Sequence, residues 1–197
     1  MRDYLRLMIV LAAIGAVAAG LLALVDSFTE PKIQAIKIQA ESEAYQQALP
    51  QAKSFKDDAK LLEKVKSNPN LADINGLKVG YDGDQPVGWV CKVSPRGYSS
   101  NIEMLVGVKP DGQLAKVIIL SQSETPGLGT NIVNPEFIEQ PAIYNSNGED
   151  LKVTKDGGKV DAVTGATISS RAVLRGINQV FGFYRLQVPE SGGGSQQ

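Results

Sequence analysis

The sequence predicts an α+β fold in which an antiparallel sheet with packed helices is preceded by one amino-terminal transmembrane helix. Three observations carry this. An uncharged apolar run occupies residues 7–25, two β-rich stretches each fold about an Asp-Gly pair, and an amphipathic helical pattern closes the ordered part of the chain. With 197 residues, 43% hydrophobic and 21% charged, the chain has the composition of a globular domain with accessories rather than of a disordered or fibrous protein.

The first element is the run LMIVLAAIGAVAAGLLALV, residues 7–25. At about 1.5 Å of rise per residue it just spans a hydrocarbon core of about 30 Å. A cleaved signal peptide is the competing reading, since Arg2 and Arg6 precede the run and Ala16-Val17-Ala18 resembles a cleavage site. The apolar run continues past that triplet, which favours an uncleaved anchor. Arg2 and Arg6 before the span, with Asp26 and Glu30 after it, predict residues 1–6 in the cytoplasm and the body outside it.

Residues 26–70 form a helical lead-in on this reading. TEPKIQAIKIQAESEAYQQALP has good helix formers with spaced apolar positions and stops before Pro50, and DDAKLLEKVKSNPN suggests a second short helix closed by an Asn-Pro turn. Strands follow. GLKVGYDGDQPVGWVCKVSP and IEMLVGVKPDGQLAKVIILSQ each hold two β-rich runs around a turn, so two successive hairpins predict an antiparallel sheet. Cys91 lies inside one of these strands and is expected to be a small buried hydrophobe.

ETPGLG, residues 124–129, interrupts the pattern with a proline and two glycines. It is either a connecting loop or a place where the backbone passes close to a ligand. ISSRAVLRGINQVFGFY then sets Val173, Ile177, Val180, Phe181 and Tyr184 on one helical face, with Arg171, Arg175, Asn178 and Gln179 away from it. PESGGGSQQ, within residues 188–197, has the composition of a flexible tail.

Composition also excludes chemistry. There is no histidine, so a Ser-His-Asp triad, a Cys-His dyad and an imidazole-ligated metal are all ruled out. A lone cysteine forms neither an internal disulfide nor a thiolate cluster. The formal net charge of −1 lacks the basic footprint of a nucleic-acid binder. No catalytic residue and no metal site are expected.

The hydroxyl-rich stretch VDAVTGATISSRAV, residues 160–173, stands out against this background. Thr167 falls at the start of the final helix, where Ser or Thr commonly caps free N–H groups. The same place suits a phosphate: the N–H groups of Ile168, Ser169 and Ser170 would point at it, and the helix dipole favours an anion by roughly 0.3–2 kcal/mol. Gly165 and Ala166 keep the approach narrow, and Ser169 and Ser170 add hydroxyls. A plain cap and a phosphate site both remain open on these residues alone.

DAVTGAT, from Asp161 to Thr167, resembles the Asp-x-x-(Ser/Thr)-Gly-Ala-Thr signature of FMN-binding domains, in which a flavin transferase joins FMN through its phosphate to the last threonine. GYSSNIEMLVGV and ETPGLG are similar to that family's upstream strand and flavin-side loop, in the same order. With its single span, the chain resembles the G subunits of the Rnf electron transport complex, which are related to the C subunit of the sodium-pumping NADH:quinone oxidoreductase. The resemblance implies an antiparallel-sheet FMN-binding domain over residues 71–187 and a covalent FMN on Thr167, with Asp161, Thr164, Gly165 and Ala166 as the motif the transferase reads. It also implies that Glu124, Thr125, Gly127, Leu128 and Gly129 lie against the flavin, and that Tyr98, Ser99, Lys152 and Lys155 belong to its pocket.

The function so implied is that of an electron carrier in a complex coupling ferredoxin:NAD electron transfer to ion translocation. Its partners would be the other membrane subunits and, during maturation, the transferase. Its place would be the bacterial cytoplasmic (inner) membrane, crossed once. Because a separate transferase makes the ester from FAD, no base is needed in this chain. The alternatives are a C-type subunit of the sodium pump and a non-redox, membrane-tethered scaffold or ligand-binding domain whose Thr167 is only a cap.

Overall fold

A computed structural model describes residues 2–146 and 150–187. It divides into two compact units, residues 1–42 and 43–197. Helix α1 is Arg2–Ala48. In the first unit it runs through position 31 without a break, so the start of the helical lead-in expected over residues 26–70 continues the apolar helix. An interior proline removes one backbone hydrogen bond but does not force the chain to stop. α1 holds a stretch of mean hydropathy 2.7 with none of it buried, the one described helix long and apolar enough to cross a membrane. The consecutive Leu7, Met8, Ile9 and Val10 are all exposed, so apolar side chains surround the helix rather than lie along one stripe.

Among the described residues of the second unit, five strands form one antiparallel sheet in the order β1-β2-β3-β4-β5, with β1 Ser54–Asp57, β2 Ile74–Asp82, β3 Gln85–Val93, β4 Glu103–Val108 and β5 Leu114–Ser121. Both expected hairpins are present. β2 and β3 turn at Gly83 and Asp84, with Asp82 opposite Gln85 and Gly83 at φ 64°. β4 and β5 turn through residues 109–113, where Gly112 takes φ 84°. Pairing of β3 with β4, Cys91 opposite Val106, joins the two hairpins into one meander.

The lead-in does not stay helical to residue 70. β1 pairs with β2, Phe55 opposite Gly80, and extends the sheet by one strand. Tyr45, Ala48, Leu49 and Ala52 are buried. The domain therefore begins well before the boundary predicted at residue 71. Helix α2, Ala59–Lys66, is the expected short helix; Asp58 caps it by accepting from Leu61 N at 3.0 Å.

Side chains alternate across the sheet, so β3, β4 and β5 each feed two cores. Cys91, Val93, Met104, Val106, Val108 and Val117 face one core, completed by helix α5, Thr167–Gln187, through Val173, Ile177, Val180 and Phe181. Val90 and Leu105 face the other, completed by Ala44, Tyr45, Ala48 and Leu49. Cover on both faces explains why β4 is an unbroken apolar run after Glu103, from Met104 to Val108. The short helices α3, Pro135–Ile138, and α4, Pro141–Tyr144, join the first core through Phe137, Ile138 and Ile143. Cys91 is fully buried, and burial pushes its thiol pKa up.

The polar side of α5 is used as well. Arg175 and Gln179 bond Asp73, Asn178 brackets the backbone of Leu151 with bonds of 2.8 and 2.9 Å, and the Tyr184 hydroxyl donates to Pro110 O. The segment 188–197, expected to be a tail, lies outside the described residues.

Candidate functional site

The site is built at the start of α5. Residues 163–166 form a tight turn in which Ala166 N donates to Val163 O at 2.9 Å and Gly165 takes φ 74°. A left-handed residue here favours glycine, and a Cβ would also come within 2.9 Å of Leu128 Cδ2. The turn reverses the chain into the helix so that Thr167 is its first helical residue. Thr167 is therefore not the cap that its position suggested, and Ala166 has no side-chain oxygen to serve as one.

Ser170 N donates to Ala166 O at 3.0 Å, inside the helix, so it is not among the free donors. The N–H groups of Thr167, Ile168 and Ser169 have no partner among the described residues. Those three are the free donors at the amino-terminal end of α5, the kind of place where a helix favours an anion.

Neither serine offers its hydroxyl to a ligand. Ser170 Oγ donates to Ala166 O and accepts from Val163 N, both at 3.0 Å, and so braces the turn. Ser169 Oγ donates to Glu124 Oε2 at 2.6 Å. Glu124 is 4% exposed and also accepts from Tyr98 N (3.1 Å), Ser99 N (3.0 Å) and Ser100 N (3.1 Å). Burial pulls its pKa upward, but the bonds from Ser169 and from the amides of Ser100, Ser99 and Tyr98 outweigh it, and the net shift is downward. Glu124 thus stays ionised and ties three segments together: the 97–100 loop, its own loop, and the first turn of α5. Gly97 and Gly129 leave room for it, since a Cβ on either would approach its side chain within 2.7 Å.

Between these segments lies a cleft of about 470 Å³ lined by Tyr98, Glu124, Thr125, Leu128, Gly129, Lys155, Gly165, Ala166, Thr167, Ile168 and Ser169. Its size falls in the range of about 300–1,000 Å³ typical of small-molecule sites. Tyr98, Leu128 and Ile168 are exposed apolar side chains around a half-buried Thr167. Lys155 Nζ donates to Thr167 Oγ1 at 3.4 Å. A cation, three free N–H groups and an apolar wall fit a molecule with a phosphate at one end and a flat ring at the other.

Several expected residues lie elsewhere. Asp161, Thr164 and Gly127 line a different depression of about 450 Å³, with Asn131, Asn134 and Gln140; Leu128 borders both. Gln140 fixes that side by two 2.8 Å bonds to the backbone of Asp161. The turn at Gly165 separates the two halves of the motif onto two faces. Lys152 lines a third depression, with Gly158 and Val160, and does not reach the cleft. Ser99 contributes its amide to Glu124 but does not line the cleft.

The sequence reading missed the side chain of Ile168. Its signal was present: the apolar stripe through Val173 and Ile177 puts Ser169 in phase with the core and leaves Ile168 out of phase, exposed by 50%.

Residues 97–182 match the model of the FMN-binding domain family. The G subunit of an ion-translocating oxidoreductase complex from Methanosarcina acetivorans is 31% identical over 191 residues, covering 94% of this chain and 97% of that protein. The G subunit of the Na(+)-translocating ferredoxin:NAD(+) oxidoreductase complex from Acetobacterium woodii is 32% identical over 193 residues, covering 91% of each. Among solved structures, the crystal structure of Shewanella oneidensis NqrC aligns at a TM-score of 0.42 and 22% identity, over 71% of this chain and 70% of that one.

Proposed function

Because the chain belongs to the family of G subunits of ion-translocating oxidoreductase complexes, we propose that it is a membrane-anchored electron-carrier subunit of a ferredoxin:NAD oxidoreductase whose FMN is esterified through its phosphate to Thr167. The observation that carries this reading is the convergence at one hydroxyl. Thr167 stands at the mouth of the cleft with three free N–H groups behind it and Lys155 beside it, an arrangement suited to a phosphate and unneeded by a simple helix cap.

Bound there, FMN supplies electron transfer one electron at a time. The chain's own part is to tether, orient and shield. Thr167 prevents loss of the cofactor, Lys155 and the helix end offset the phosphate charge, and Tyr98, Leu128 and Ile168 offer apolar surface to the ring. Glu124, its carboxylate satisfied by backbone amides and the Ser169 hydroxyl, fixes the walls of the cleft.

α1 is the membrane anchor. Arg2 and Arg6 before its apolar run support a cytoplasmic amino terminus and a body on the other side, where a tethered flavin cannot diffuse away. A flavin transferase reads the motif from Asp161 to Ala166 and uses FAD as donor.

The test is to co-express the full-length chain with a flavin transferase, denature it, and examine the band. Wild type is expected to show flavin fluorescence that survives denaturation and an FMN-sized mass increase. Thr167→Val is expected to lose both while retaining its fold. An unmodified wild type, or a Thr167→Val protein that keeps the adduct, would overturn the covalent reading, and the former would favour a non-redox scaffold.

A further inference from the structure

Lys155 is exposed and has a long, flexible side chain, so its approach to Thr167 Oγ1 depends on how its backbone is held. It lies in the single helical turn Thr154–Asp156. The base of this lobe is pinned. Val153 and Val160 are buried and bridge in parallel, Thr154 N donates to Val160 O at 2.9 Å, and Val160 N donates to Lys152 O at 3.2 Å.

Its tip is held by a different device. Asp156, the residue after Lys155, accepts both arms of the Arg171 guanidinium: Nε to Oδ2 at 2.7 Å and Nη2 to Oδ1 at 2.6 Å. Arg171 follows Thr167 by four residues and so stands one turn further along the same face of α5. A bidentate Arg–carboxylate pair fixes direction as well as distance. The lobe bearing the lysine is thereby clamped to the helix that bears the threonine.

We propose that Asp156 and Arg171 are positioning residues for the modification of Thr167: they hold the 152–160 lobe so that Lys155 meets the Thr167 hydroxyl and the oxygens of the phosphoryl group transferred to it. This rests on the covalent reading above. In that transfer Thr167 Oγ1 forms a bond to the FMN phosphorus of FAD. The bond from that phosphorus to the bridging oxygen breaks, AMP leaves with the oxygen and the electron pair, and the hydroxyl proton passes to the transferase or solvent. Nothing is oxidised or reduced. Negative charge builds on the non-bridging oxygens, and a cation already in place stabilises it without reorganising.

An exposed ion pair adds little to stability, so removing this one should leave the fold nearly untouched. The experiment is a time course of adduct formation on the full-length chain in detergent with a flavin transferase and FAD. Lys155→Gln is expected to slow it about 100-fold. Arg171→Gln should slow it about tenfold, the scale of a misplaced group, with a melting temperature within about 4 °C of wild type.

The double variant decides the matter. If Arg171 acts only through Lys155, Lys155→Gln/Arg171→Gln is no slower than Lys155→Gln alone. Independent effects would instead multiply to about 1,000-fold, and that result, or a wild-type rate for Arg171→Gln, overturns the clamp. A wild-type chain that takes no flavin overturns the covalent reading instead, so the two failures are distinguishable.

Discussion

Glu124→Ala is expected to destabilise the domain by about 3–5 kcal/mol, a large part of the roughly 5–15 kcal/mol that holds a typical domain together. The substitution removes little apolar contact. It strands donors: the amides of Tyr98, Ser99 and Ser100 and the Ser169 hydroxyl all point at one buried carboxylate. Glu124→Gln should cost about 1–3 kcal/mol, because an amide keeps one acceptor but turns an N–H toward one of the other donors. Chemical denaturation of the three proteins at neutral pH measures both differences.

The same residue sets a pH dependence. Its folded pKa lies below the ordinary glutamate value, so its contribution is complete above the unfolded pKa, about 4.3, and is lost as pH falls through the folded value. Wild type should therefore lose stability toward Glu124→Gln as pH drops below about 4.5, and the two curves should converge in acid. Curves that stay parallel there would mean that the carboxylate is not the group at work.

Gly107→Val is expected to be at least as damaging to the fold, by about 3 kcal/mol or more. Gly107 is in β4, and a Cβ there would collide with the backbone oxygen of Ala48. A flexible side chain could step aside, but a carbonyl in the last turn of α1 cannot move without lifting Tyr45, Ala48 and Leu49 off the sheet. Gly83→Ala on the open hairpin turn, where a Cβ meets nothing, should cost only the strain of its φ of 64°, about 1 kcal/mol. Comparable denaturation midpoints for the two variants would refute this packing account.

The elements legible in the sequence were those with strong local patterns. Alternation and Asp-Gly turns marked β2 to β5, and a helical stripe marked α5. β1 was not legible: Ser54, Lys56 and Asp57 are exposed, and only Phe55 packs inward, so the strand exists through its pairing with β2 rather than through any pattern of its own. At the site, local chemistry correctly suggested a helix end with free amides but shifted the set by one residue. The start of α5 depends on the turn braced by Ser170, which is tertiary information. Residue type alone also could not separate Lys152 from Lys155. They lie three apart on a folded lobe, and only the lobe's attachment to α5 turns one of them toward Thr167.

The buried sulfur of Cys91 has a practical consequence. With that thiol sealed in the core and no imidazole anywhere in the chain, the native molecule is a silent background for introduced reporters. A cysteine placed at Tyr98 or Ile168, both exposed at the cleft, would be the one sulfhydryl open to reagent. Spin labels there could compare the surroundings of the cleft before and after the cofactor is loaded, with no native site to remove first.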